Sequence, residues 1–199
     1  MRSFLFFVED SFHEEYLTAL LRRFSTDRNI PIDPRPYSAR GGITKMHHEF
    51  KEFLRDVRKD REPLPDAILV ATDANCMGYN ERRKIMEGVT EGFDQIRELV
   101  LYAIPDPHIE RWMMVDPNAF QSVFGVGCDL PTYKCEKGYY KRLLAESIRK
   151  AGTLAPLGGR EFAADVIQQM DLPYAQQQDA SFRLLLRDLT ALFNRWRQQ

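Results

Sequence analysis

Residues 3–10 read SFLFFVED, so the apolar run Phe4-Leu5-Phe6-Phe7-Val8 passes directly into Glu9-Asp10. An unbroken apolar run of this length matches a strand buried on both faces, as in a parallel sheet; a half-exposed strand would alternate. Phe12, Tyr16, Leu17, Leu20, Leu21 and Phe24 then recur at three-and-four spacing, the period of an amphipathic helix. Ser11 is placed to cap that helix, with Glu14 and Glu15 in a first turn where the helix dipole favours acids.

The pattern repeats along the chain. Residues 67–75 read AILVATDAN, again an apolar run entering an acid, and Glu98–Ile104 (ELVLYAI) is a third run, stopped by Pro105-Asp106-Pro107. Between them, Ile43–Arg61 carries Met46, Phe50, Phe53, Leu54 and Val57 on one face and charges on the other, and Glu81–Gln95 reads as a helix. Pro31–Tyr37, broken by prolines, fits at most a short edge strand. The order predicts an α/β fold, a mainly parallel sheet flanked by helices, with the strands ending at Val8 and Ala71 adjacent.

Beyond Pro107 the chain reads as helical. Short helices are expected over Ile109–Val115 and Asn118–Phe124, and a basic amphipathic one over Glu136–Ala151. Arg160–Met170 follows, with a break at Pro173 and an exposed turn at Gln176-Gln177-Gln178. A final helix carries the stripe Phe182, Leu185, Leu186, Leu189, Leu192, Phe193 and Trp196, wide enough to require burial against its own chain or a partner. The expected division is an α/β domain over 1–116 and a C-terminal helical extension over 117–199 packed on it.

At 199 residues and 44% hydrophobic the chain can bury one sizeable core. Its 28 basic and 29 acidic side chains nearly cancel, so any nucleic-acid-binding surface must come from local clustering. Cys76, Cys128 and Cys135 fit neither a zinc knuckle nor an even disulfide framework, and are expected to be reduced thiols in a cytoplasmic protein. The N-terminal apolar run is too short for a signal sequence or a membrane span.

Carboxylates at the ends of adjacent parallel strands converge on the crevice where open α/β sheets bind ligands. Glu9, Asp73, Asn75 and Asp106 there offer hard oxygen ligands for Mg²⁺ or Mn²⁺, and Glu110 lies one helical turn beyond Asp106. Such an ion suits hydrolysis or transfer of a phosphodiester. A lysine near the scissile phosphate stabilises the transition state, and Lys134, Lys137 and Lys141 cluster before and on the basic helix. Solvated loop acids and a solvated basic helix face are the plainer readings of the same residues. Tyr139 and Tyr140 are candidates for stacking on unpaired bases. His47 and His48 are expected at the surface, and His108 lies near the acidic crevice.

Three segments, Val8-Glu9-Asp10 with Glu14-Glu15, Asp73-Ala74-Asn75, and Glu110-Arg111-Trp112-Met113-Met114-Val115-Asp116, together resemble the TOPRIM-like proteins. The similarity is closest to a small bacterial branch related to the overcoming-lysogenization-defect (OLD) nucleases, and it covers most of residues 3–145. The resemblance implies a metal-dependent nuclease acting on DNA or RNA, working beside an ATPase in defence against phage. It aligns Glu9 with the first-motif glutamate, Asp73 with the first aspartate of the DxD pair, and Glu110 with the acid of the E-x-W-x-x-x-D segment. Lys137 matches the lysine that precedes the next helix.

Two departures stand out. Asn75 replaces the second DxD aspartate and removes a negative charge. The later first-motif glutamate falls at Glu14, five residues after Glu9, so that His13 occupies the fourth position. The chain has no G-x-x-x-x-G-K-[ST] segment, so an ATP-driven step is expected from another polypeptide. A weakly catalytic or non-catalytic interaction module and a phosphotransferase on small nucleotides are the alternatives, and self-association stays open.

Overall fold

The computed structural model describes residues 1–37 and 41–199. Strands β1 (Arg2–Val8), β2 (Ile32–Pro36), β3 (Ala67–Ala71) and β4 (Val100–Ala103) form one all-parallel sheet in the order β2-β1-β3-β4. Val8 pairs with Ala71 and Ala71 with Ala103, so the three buried strands end level with one another. Side chains of a strand alternate between faces, and here both faces are covered, which explains the unbroken apolar runs.

Helices α2 (Gly42–Arg58) and α3 (Tyr79–Val89) cover one face, packing Met46, Phe50, Phe53, Leu54 and Met86 on Phe7, Ile68 and Val70. The opposite face, bearing Phe4, Phe6, Val8 and Leu69, packs against α1 (Ser11–Arg28) and the C-terminal helices. The short helix α4 (Asp94–Arg97) precedes β4, and α5 (Ile109–Trp112) follows it. Then come α6 (Pro117–Phe124), α7 (Tyr139–Lys150), a 3₁₀ turn at Arg160–Phe162, α8 (Ala163–Gln169), α9 (Leu172–Gln178) and α10 (Ala180–Arg197). None of these helices among the described residues is long and apolar enough to cross a membrane.

Local chemistry moves several boundaries. The helix after β1 is capped by Asp10, not Ser11: the Asp10 carboxylate accepts from the N–H groups of Phe12 (2.9 Å) and His13 (3.0 Å). The helix expected over 81–95 splits in two around Gly92, which adopts a positive φ of 81° that a helix cannot continue through. Pro173 opens a helix where a break was expected. Its missing N–H costs nothing in a first turn, Asp171 supplies the cap, and the three glutamines form the end of α9. At the sheet edge, β2 tolerates Pro34 and Pro36 while Tyr37 N–H still donates to Phe6 O at 2.7 Å.

The α10 stripe is buried within the chain itself. Phe182 packs 5.1 Å from the Trp112 ring and 6.3 Å from Tyr16, Phe193 lies 5.8 Å from Phe24, and Trp196 meets Phe4 edge-on at 6.0 Å. Residues beyond 117 therefore share one core with β1 and α1. Truncating a fully buried aromatic ring loses its transfer free energy and leaves a cavity, so Phe182→Ala is expected to cost about 3–5 kcal/mol. Urea unfolding followed by tryptophan fluorescence checks this; a loss below about 1 kcal/mol would mean α10 is not part of this core.

Candidate functional site

Because β1 and β3 are neighbours, the residues leaving their C-terminal ends emerge side by side. Thr72 Oγ1 donates to Glu9 Oε2 at 2.6 Å and the Asp73 N–H reaches the same oxygen at 3.2 Å. Glu9 Oε1 accepts no bond from the described residues. The expected adjacency of the two acidic loops is therefore present, fixed by one shared carboxylate oxygen.

Asp73 is the centre of a polar row. Its Oδ1 accepts the Ile109 N–H at 2.9 Å, and its Oδ2 lies 2.9 Å from His108 Nδ1. His13 is wholly buried between two acids: Nδ1 donates to Asp10 Oδ1 at 2.8 Å, and Nε2 approaches Asp73 Oδ1 at 3.2 Å as an ion pair without hydrogen-bond alignment. Burial disfavours a charged His13, but Asp73 and Asp10 outweigh it and hold the imidazole protonated well above its ordinary range. Burial likewise opposes the charge on Asp73, and His13 and His108 overcome it to lower its pKa. The bond to Asp73 raises His108. Glu110 goes the other way, pushed up by burial and then by repulsion from Asp73.

The remaining candidates are committed elsewhere. Asp106 accepts the Tyr79 N–H and the Tyr133 hydroxyl, each at 3.1 Å. Asn75 is exposed, in left-handed backbone at φ 49°, with its side-chain amide 3.5 Å from the Asp73 carbonyl. Lys137 is exposed on the segment that leads into α7, and its carbonyl accepts from Arg142 at 3.3 Å. Tyr140 is buried, its hydroxyl accepting from Lys134 N at 2.7 Å and donating to Thr132 O at 3.0 Å, so it cannot stack on a base. His48 is exposed as expected, whereas His47 is half-buried with Nε2 2.8 Å from Met86 Sδ.

Cys76, three residues after Asp73, is disulfide-bonded to Cys135, 59 residues away, with the two Cα atoms 5.4 Å apart. This corrects the expectation of three free thiols and removes the support that cysteine usage lent to a reducing compartment. The bond ties residues 129–138 as a strap beside the Asp73 loop, with Tyr133 as a second tie through Asp106. Cys128 remains free, its thiol pushed up to about 12 by burial.

Among the described residues no group of three or more His, Cys, Asp or Glu side chains is already drawn around one metal position. Individual oxygens are nonetheless of the type a hard divalent cation takes. Glu9 Oε1 is open, Asp73 Oδ2 keeps a second lone pair, and the repulsion raising Glu110 is what a cation would relieve. His13 stood out in sequence only by its place at the fourth position after Glu9, where the resemblance expects an acid; its burial between Asp10 and Asp73 was not foreseen. No protein-family model, curated protein or solved structure matches the chain.

Two measurements follow from this geometry. His13 binds its proton more tightly folded than unfolded, so its contribution is full below its ordinary 6.5 and fades as pH climbs through the raised value. Asp73, with a lowered pKa, contributes above its ordinary 3.8 and loses that contribution as pH falls. Urea midpoints should therefore decline as pH rises above the ordinary 6.5, and His13→Gln should flatten that decline; an unchanged slope would exclude His13 as the charged group. Alkylation of the unreduced, unfolded chain should label Cys128 alone, and all three cysteines after reduction; three labels without reductant would refute the strap's tie.

Proposed function

We propose that the chain is a TOPRIM-like, divalent-metal-dependent nuclease that hydrolyses phosphodiesters of DNA or RNA in the crevice at the ends of β1, β3 and β4. One observation carries this reading: Glu9 and Asp73 meet at the ends of the two central strands, with Glu110 close enough to feel the Asp73 charge. Those three side chains are the proposed holders of Mg²⁺ or Mn²⁺, while Asn75 and Asp106 are the weaker candidates. A bound ion there supplies Lewis-acid stabilisation of the phosphate and acidifies the attacking water.

The chain's own groups act around that centre. Asp73 orients His108 through Nδ1 and leaves its buried Nε2 without a partner among the described residues, so His108 would hold a proton for the departing oxygen where substrate reaches that atom. Lys137, on the strap, is the proposed source of positive charge for the crowded phosphate. Action beside an ATPase partner in phage defence, in the cytoplasm, goes with the TOPRIM-like resemblance. In a cytoplasm that keeps thiols reduced, the strap would rest on its Tyr133 and Tyr140 bonds alone.

A second reading, a non-catalytic interaction module, is favoured by the occupancy of Asp73, whose two oxygens already serve His13, His108 and Ile109 N–H. Cleavage assays with Mg²⁺ and Mn²⁺ on plasmid, single-stranded DNA, RNA and free nucleotides separate the two readings. The nuclease reading expects polynucleotide cleavage that falls at least about a hundredfold in Asp73→Ala and in the near-isosteric Glu9→Gln, with His47→Ala unchanged. Cleavage equal in Glu9→Gln and wild type, or none on any substrate, sinks it; turnover of free nucleotides alone would mark a phosphotransferase.

A further inference from the structure

The strap carries features that the crevice chemistry does not use. Tyr133 is 56% exposed, yet its hydroxyl is fixed to Asp106 Oδ1 at 3.1 Å, so the ring is held beside the loop that follows β4 with its surface open to solvent. Next to it the Lys134 ammonium lies 4.6 Å from the centre of the half-buried Tyr139 ring. Lys137 and Lys141 are exposed beyond it, and the sole acid of this stretch, Glu136, is shared between Lys134 (2.8 Å) and Arg142 (2.5 Å). Behind the strap a cavity of about 330 Å³, lined by Cys128, Leu130, Pro131, Tyr139, Leu143 and Lys150, runs along α7.

A fixed aromatic face on a segment that carries exposed lysines is what a single-stranded nucleic acid requires. Each unpaired base offers a π-face for stacking, while the lysines follow the phosphates. A duplex keeps its bases stacked on each other and has none to lend to Tyr133. The near-zero net charge of the whole chain makes this local excess of positive charge the more selective.

Resting on the nucleic-acid reading above, we infer that the 133–142 strap and helix start bind single-stranded nucleic acid, stacking a base on Tyr133 and pairing phosphates with Lys134, Lys137 and Lys141, and that they deliver the strand to the crevice. Tyr133 thereby selects unpaired over paired substrate. The Tyr133–Asp106 bond, and the Cys76–Cys135 bond where it is formed, hold this platform beside the Asp73 loop.

Fluorescence anisotropy with the full chain in a chelator tests this without cleavage, using labelled single-stranded DNA and RNA of about 12 nucleotides and the matching DNA duplex. Single strands should bind at least about tenfold more tightly than the duplex, and Tyr133→Ala should weaken them roughly tenfold, the lower part of the range for one stacked base. Tyr133→Phe, which keeps the ring for stacking but frees it from Asp106, should weaken single-strand binding by less than Tyr133→Ala does. Lys137→Ala with Lys141→Ala should flatten the salt dependence by about 0.7 per lysine. Duplex binding as tight as single-strand binding, or a folded Tyr133→Ala with unchanged affinity, overturns the inference while leaving the nucleic-acid reading intact. No binding to any of the three probes overturns both.

Discussion

The buried pair of Arg111 and Asp179 is the interaction on which the rest of this molecule hangs. Asp179 caps α10 through the Phe182 N–H at 2.8 Å, accepts the Ser181 hydroxyl at 2.5 Å and the Trp112 indole N–H at 3.2 Å, and is itself almost wholly buried. Ser181 Oγ in turn accepts the Asp106 N–H at 3.1 Å. A single carboxylate thus fastens the start of the last helix to the loop after β4, which bears Asp106, His108 and Glu110. Removing one member of such a buried pair leaves a bare charge, a loss of about 3–5 kcal/mol. The helical extension is therefore part of how the crevice is held, through the same residues that close the core.

The crevice itself is an electrostatic compromise. Two carboxylates, Asp10 and Asp73, sandwich the buried imidazole of His13, and the imidazole of His108 extends the row. Without the histidines, Asp73 would face Glu110 with nothing to offset their repulsion. With them, the negative charge of Asp73 and Asp10 is offset by imidazoles held above their ordinary pKa. Any ligand drawn to Asp73 Oδ2 would weaken the hold on His108.

The parts of this structure that were legible in the sequence are those set by local pattern. β1, β3 and β4 showed themselves because burial on both faces forces unbroken apolar runs, and the strand-end position of Glu9 and Asp73 followed directly. Asp10 was harder: Asp and Ser both cap helices, and only the register of the first turn decides between them. Pro173 was ambiguous because proline both ends helices and starts them. His13 and the Cys76–Cys135 bond were hidden for another reason. Their partners lie 60 and 59 residues away, and no periodicity reports a contact made by folding.

The edge strand carries a consequence of a different kind. Tyr37 N–H points inward to Phe6 O, so by the alternation of a strand the inward donors of β2 are Asp33 and Arg35, and the outward positions are Ile32, Pro34 and Pro36. Two of those three positions have no N–H to offer. The opposite edge, β4, is four residues long and packs against α10. A foreign strand arriving at the proline edge would find carbonyls without their matching donors, so this sheet is poorly suited to templating growth by strand addition, a guard against aggregation.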